Sequence, residues 1–445
     1  MNLNYSNYKG DRTQMERKNR QITAVIVGAG HRALIYASLA ELHPDQLQIV
    51  GVVDPDPIRR ERTANKFKLA PEAQFESTEQ LVRLAGKMAD AAINGTMDAL
   101  HVETTIPLLE AGYDVLLEKP IGTSEEQVLE LLEVARRNRR TVMICHVLRY
   151  APFYAEIKKR VQAGVIGDIL TMQTAENVSY HHMAVAFIRG KWNNEAKCGS
   201  SILMSKCCHD LDLLAWMKGE IAPSWVSSFG ALTYFRPDRA PEGAGERCLN
   251  CAIEPACVYS AKKHYIEQER WGSYVWPHHH LGITISHERQ MESLLADNPY
   301  GRCVWKCDND VVDHQSVAVQ FADGSTATHT LTGGASKPSR HIHLIGTEGE
   351  IEGVMEDGYF VIRRPDPRKG HEYSEERVAI NVSRDMHGGG DIRLIEDFVR
   401  VLRGETPSLS STALECSING HLIGFRADRS MAEKTVVKIP EVDVD

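Results

Sequence analysis

The sequence predicts an α/β protein in two parts, a doubly wound parallel sheet in the first third and then a domain of longer, mostly antiparallel strands. Three observations carry this. Strand and helix patterns alternate from Ile22 to His146. The first strand runs straight into Gly28-Ala29-Gly30-His31-Arg32-Ala33. Beyond Arg149 the texture changes to long stretches of period-two alternation separated by turn residues.

The apolar run Ile22–Val27 reads as a buried strand, and the turn after it has the form G-x-G-x-x-A. Gly28 permits the tight turn, and Gly30 lets the backbone approach a pyrophosphate. Ala33 allows close helix–strand packing, and the helix that opens at His31 and Arg32 offers its N-terminus to an anion. Helical spacing follows through Leu34, Ala37, Ser38 and Leu42. The strand "LQIVGVVD" then ends in Asp54, at the right distance for a carboxylate that binds a ribose diol. Such a carboxylate repels a 2′-phosphate and favours NAD over NADP, although Arg59 and Arg60 soften the repulsion.

The alternation continues with helical spacing over 58–67 and 78–85, the strand "ADAAINGT", a helix over 99–111 and the strand Tyr113–Leu117. A helix over 125–138, capped by Thr123 or Ser124, and the strand "TVMICH" complete it. Ligands of such sheets sit at the carboxyl ends of the strands. Asn94-Gly95-Thr96, Glu118-Lys119-Pro120 and His146 all lie there, so Lys119 is expected to face the nicotinamide crevice. The cofactor-binding candidates are Gly28, Gly30, His31, Arg32, Ala33, Asp54, Arg59, Asn94, Thr96, His101, Glu118 and Lys119.

In the second part, a helix over 153–162 ends at Gly164, and alternating stretches such as "HQSVAVQF" and "STATHTLT" read as antiparallel strands. The segments 392–401 and 413–432 read as helices. Within "SILMSKCCHDLDLLAWM", His209 and Asp212 stand three apart ahead of Leu213, Leu214 and Met217, which places His209 at the open end of a buried helix face. "ENVSYHHMAVAFIRGKWNN" is dense in aromatic and hydrogen-bonding groups suited to a ring sugar. The substrate-binding candidates are His146, Arg149, Tyr150, Tyr180, Arg189, Trp192, Lys206 and Asp212, with His181 beside them.

The bulk properties narrow the classes. The 445 residues suffice for two domains, and 51 basic against 60 acidic residues give a net charge of −9. That balance argues against binding nucleic acid or an anionic membrane. No apolar run is long enough to span a bilayer, and the polar N-terminus has no segment of signal-peptide type, so a cytoplasmic location is expected. Of the ten cysteines, Cys248-x₂-Cys251-x₅-Cys257 with a later fourth thiol resembles a structural zinc site. Cys307 or else Cys303 would supply the fourth ligand, with His278–His280 as alternatives. The other reading is a set of reduced thiols in a loop insertion.

The glycine turn, Asp54 and Glu118-Lys119-Pro120, together with "DALHVETTIPLLEAGYDVLLEKPIGTS", "HVLRYAPFYAEIKKRVQAGVIGDI", "KCCHDLDLLAWM" and "GGGDIRLIEDFVRVLRG", resemble the Gfo/Idh/MocA oxidoreductase family from about residue 22 onward. The resemblance implies a Rossmann domain followed by an α/β domain with a large open sheet, NAD(P) chemistry on sugars, inositols or related polyols, and a homo-dimer or homo-tetramer formed through that sheet. The expected organisation is a tail over 1–20, a Rossmann domain over 21–148, and a second domain over 149–445. The second domain would carry a cysteine-containing insertion at 235–310, and the last helix would pack near the Rossmann domain. The resemblance makes Lys119 and His209 catalytic. His209 would take the hydroxyl proton as hydride leaves the carbinol carbon, and Lys119 would stabilise charge on the same oxygen. Many members carry an aspartate four residues before that histidine, where this chain has Ser205 followed by Lys206. Lys206 reads as a second cation for an acidic substrate or as a solvent-facing lysine. Two rivals stay open: an NAD-dependent glycosidase that oxidises its sugar transiently, and a non-catalytic NAD-binding regulator.

Overall fold

The structure, a computed structural model, describes residues 20–381 and 387–442. The expected tail therefore lies outside the described residues apart from Arg20. Two compact units result. The first runs to Gly122, resumes over Glu126–Ala155 and takes in Ser383–Cys416, while the second holds Thr123–Glu125, Glu156–Val382 and Ser417–Asp445.

The first unit is built on six strands: β1 (Ile22–Val27), β2 (Leu47–Val53), β3 (Gln74–Phe75), β4 (Ala91–Asn94), β5 (Asp114–Leu117) and β6 (Val142–Ile144). Every pair is parallel, and the spatial order is β3-β2-β1-β4-β5-β6. This is the doubly wound order, with its switch point between β1 and β4. Local chemistry starts the helices between the strands. Asp56 accepts from the Ile58 and Arg59 amides ahead of Pro57–Phe67, and Ser77 caps Thr78–Ala85 through the Gln80 amide.

The sequence reading ended this domain at residue 148, but the structure adds helix Gly390–Leu402. Leu394, Ile395, Phe398 and Val399 on its inner face join the core of Ile22, Ile26, Tyr36 and Leu116. Burying four such side chains is worth roughly 6–12 kcal/mol as an upper bound. An amphipathic pattern reveals that face but not which core it covers. The final helix, Leu414–Glu433, falls almost entirely in the second unit.

The second unit carries nine strands: β7 (Ile169–Ser179), β8 (Pro223–Ala231), β9 (His314–Phe321), β10 (Thr326–Ala335), β11 (Ser339–Gly346), β12 (Glu350–Val354), β13 (Tyr359–Pro365), β14 (Tyr373–Ala379) and β15 (Val437–Lys438). Their order is β14-β13-β12-β11-β7-β10-β9-β8-β15, and the one parallel pair is β7 with β10. In β9 and β10, buried residues such as Val317, Val319, Ala327 and Leu331 alternate with exposed ones, so one face is covered and the other is bare. The helix Ile202–Lys218, capped by Ser201, packs on the covered face of β7 and β10 and is buried along nearly its whole length. No helix among the described residues is long and apolar enough to cross a membrane.

Candidate active site

The nucleotide-binding features of the first unit come together around the switch point. Gly28 has φ +77°, and a Cβ there would lie 2.8 Å from the Thr96 amide nitrogen. Only glycine fits both the left-handed backbone and the contact. A Cβ on Gly95 would lie 3.0 Å from that of Ala33, which explains the small third residue of the motif. At Gly30 a Cβ would meet nothing nearer than the Gly95 carbonyl oxygen at 3.9 Å, so the turn stays open to a pyrophosphate. Asp54 is 2% exposed at the end of β2. Its carboxylate accepts from the Ala29 amide at 2.7 Å and the Asp56 amide at 2.8 Å. Burial raises its pKa, against those two hydrogen bonds and the Arg59 charge. The Arg59 Nε lies 3.8 Å from the Asp56 carboxylate, and its side chain is half-buried. The turn, the open space and the acid fit an NAD-type dinucleotide.

Several candidates from the cofactor set instead hold one another. Glu118 accepts from Arg32 Nε at 2.8 Å, from the Tyr36 hydroxyl at 2.8 Å and from the Lys119 amide at 2.9 Å. Arg32 also meets Asp391 at 2.5 Å, and His387 Nδ1 lies 3.0 Å from the other Asp391 oxygen. Burial opposes the charge on Glu118, but the Arg32 guanidinium and the Lys119 ammonium outweigh it and hold the pKa below the ordinary value. Asp391 is likewise held low, against burial, by His387 and Arg32. His31 beside them is pushed down by burial and by the Arg32 charge. Arg32 and Glu118 therefore brace the strand end that carries Lys119.

The β4 turn is braced in the same way. Asn94 donates to Thr104 and Thr105 at 2.9 Å each and accepts from the Thr96 amide and hydroxyl. His101, 1% exposed, spans the Pro120 carbonyl at 2.6 Å and the Thr96 carbonyl at 3.2 Å, tying the β4 and β5 turns together. The peptide between Lys119 and Pro120 is cis. Lys119 itself is half-buried, and His146 at the end of β6 is fully buried. Burial pushes the His146 pKa well down, and the charges of Arg149 and Lys119 push the same way. A neutral imidazole therefore stands within the field of the Lys119 ammonium.

Four substrate candidates make contacts within the protein. Arg149 donates to the Ser411 carbonyl at 2.8 Å and the Cys416 carbonyl at 2.9 Å, holding a segment that runs beside the β6 edge. The Tyr150 hydroxyl donates to Asp397 at 2.8 Å. Arg189, 1% exposed, donates to the Arg302 carbonyl at 2.7 Å, the Tyr259 carbonyl at 2.8 Å and the Tyr265 hydroxyl at 3.1 Å. Lys206 is half-buried, and its ammonium lies 3.2 Å from Glu176 on β7. Arg340 meets the same carboxylate at 2.6 Å and Asp210 at 3.4 Å. Each long cation was placed near a ligand by its type and position, and each satisfies buried oxygens instead.

The second unit's remaining candidates lie on two elements. His209 and Asp212 are 4% and 1% exposed on helix Ile202–Lys218. A Cβ on Gly420 would come within 2.7 Å of the Asp212 backbone, so a bare backbone on the last helix lets the two helices close together. Tyr180 and Trp192 are half-buried in an aromatic cluster. Tyr180 meets His181 and His264 edge-on at 5.1 and 5.5 Å, and Trp192 carries the Lys191 ammonium 3.9 Å from its ring centre. Trp271 stacks on His182 at 4.7 Å and donates to His181 at 3.2 Å. The sequence reading missed Trp271 and His264; the aromatic density of "HYIEQERWGSYVW" was the available signal. Of the cysteine set, Cys248, Cys251 and Cys257 line one cavity together with Cys303, whereas Cys307 is absent from its walls.

Residues 22–146 match the family described as an oxidoreductase family with an NAD-binding Rossmann fold, and residues 154–247 match the GFO/IDH/MocA C-terminal domain. The Bacillus subtilis protein YteT, named as an oxidoreductase, is 26% identical over 94% of this chain and 98% of its own. Inositol 2-dehydrogenase 4 of Saccharopolyspora erythraea is 28% identical over 45% of this chain and 55% of its own. A levoglucosan dehydrogenase solved with NADH and L-sorbose has the same fold, with a TM-score of 0.67 at 16% identity over 95% of this chain and 100% of that one. With an NAD-binding domain and its companion domain matched in order along one polypeptide, the chain belongs to the Gfo/Idh/MocA family of oxidoreductases.

Proposed function

We propose that the chain is an NAD-dependent dehydrogenase that acts on a carbinol or carbonyl carbon of a sugar, inositol or related polyol. The observation that carries the reading is the setting of Lys119. It stands at the carboxyl end of β5, braced from below by Glu118 and from the side by the His101 contact to Pro120, next to an imidazole kept neutral by burial. The relatives named as inositol 2-dehydrogenases and the fold shared with a dehydrogenase solved with NADH and a sugar support the substrate class.

Gly28, Gly30 and Asp54 would hold the dinucleotide, and the Asp54 carboxylate favours NAD over NADP. The nicotinamide supplies a hydride acceptor or donor. Lys119 donates a hydrogen bond to the reacting oxygen and stabilises the negative charge that develops there. His209 accepts the hydroxyl proton in oxidation and returns it in reduction.

The test is turnover of the purified protein on a panel of sugars, inositols and glycosides, followed by NADH absorbance. Lys119→Ala and His209→Ala are each expected to lower kcat by about 10²–10⁴-fold while leaving NAD binding within roughly twofold. Unchanged turnover in both variants defeats the assignment. Glycoside cleavage without NADH accumulation replaces the proposal with the redox-neutral reading.

A further inference from the structure

We propose that Cys248, Cys251, Cys257 and Cys303 bind one structural zinc ion that staples the segment between residues 235 and 310. The four side chains line a single cavity of about 10 Å³, room for one atom.

The backbone explains how residues so far apart in sequence share it. A tight turn over Cys248–Asn250 closes with the Cys251 amide on the Cys248 carbonyl at 3.2 Å, and a second turn over Glu254–Ala256 delivers Cys257. Arg247 forms an antiparallel bridge with Arg302, and the Cys303 amide donates to the Glu246 carbonyl at 2.9 Å, which lays Cys303 beside the first turn. All four thiols are free of disulfides.

Two of the sulfurs accept from N–H donors. Arg189 Nη2 donates to Cys248 Sγ at 3.2 Å, and the Gly245 amide donates to Cys251 Sγ at 3.2 Å. Zinc with four thiolates carries a net charge of about −2, and N–H donors and a buried guanidinium are the groups that stabilise it. This gives the burial of Arg189 a purpose, since its other donors tie Tyr259 and Arg302, which flank the site. The segment also needs a staple. Among its described residues, His287–Ala296 is the one helix longer than six residues, and a loop-rich segment gains most from a cross-link.

Cys307 does not line the cavity, and its thiol donates to the Cys303 carbonyl at 3.2 Å. The trio Cys207, Asp210 and His329 has ligand atoms within 4.8 Å of one another, closer together than the four cysteine sulfurs. Its Asp210 is already paired with Arg340 at 3.4 Å, however, so that carboxylate is committed. Zinc with Zn–S bonds of ~2.3 Å would draw the four sulfurs to about 3.8 Å apart.

The experiment is elemental analysis of the full chain purified from zinc-supplemented cells. Wild type and Cys307→Ser are expected to carry about one zinc per chain, and Cys303→Ser less than about a tenth of that. In wild type, mercurial titration of about four thiols should release the zinc to a coloured chelator. That measurement decides the matter even where Cys303→Ser fails to fold. Metal-free wild type, iron in place of zinc, or loss of zinc from Cys307→Ser with retention in Cys303→Ser overturns the proposal.

Discussion

Replacing Arg32 with methionine isolates the brace beneath Lys119. Arg32 lies 2.8 Å from Glu118 and 2.5 Å from Asp391, whose side chains are only 7% and 11% exposed. At such distances, with an effective dielectric constant of about 20, each pair gains roughly 6 kcal/mol before desolvation. Methionine retains the aliphatic bulk but leaves two buried carboxylates with no guanidinium between them. Removing one partner of a buried pair costs about 3–5 kcal/mol, and that is the stability loss expected near pH 7 in urea unfolding. The pH dependence separates this from lost packing. In the native protein both carboxyls are held below their ordinary pKa values. Their contribution is therefore full above the unfolded value of about 4 and is lost as pH falls through the folded values. In the variant Lys119 and His387 remain, but without the guanidinium both pKa values rise, so the carboxyls take up protons in the folded state at a higher pH than in the native protein. The deficit is then largest at neutral pH and shrinks on acidification toward about pH 4.5. A deficit below about 1 kcal/mol, or one equal at both pH values, would refute the reasoning.

Two further changes test the assignments of single residues. Asp54→Ala is expected to raise the ratio of kcat/KM for NADP over NAD by about tenfold, while loosening the glycine turn through the lost Ala29 contact; an unchanged ratio removes Asp54 from cofactor choice. Lys206→Met takes one cation from Glu176 but leaves Arg340 in place, so a loss of about 1–3 kcal/mol in unfolding and a substrate KM within roughly twofold are expected. A many-fold rise in KM without loss of stability would restore Lys206 as a substrate contact.

Residue chemistry and short spacing made much of the first unit legible. Gly28, Ala33 and Asp54 act across a turn and one strand–helix–strand unit, where each side chain's role follows from local backbone needs. The position of Lys119 at a strand end was readable for the same reason. The second unit's alternation revealed the strands but not their order, because neighbours such as β7 and β10 are set by which apolar faces meet.

The long cations show where sequence reading stops. Arg149, Arg189 and Lys206 were read as ligand contacts because their type and neighbourhood allowed it. Their partners are the Ser411 carbonyl, the Arg302 carbonyl and Glu176, all brought in from other stretches of chain. The cavity's fourth cysteine is set in the same way, since an antiparallel bridge at Arg302, not spacing, lays Cys303 beside Cys248. The sequence by itself determined the glycine turn, the strand-end lysine and the alternation of elements, because these depend on neighbours a few residues away. Tertiary structure alone decided which charges brace the site, because a buried charge takes whichever oppositely charged or polar group the packed core brings within about 3 Å.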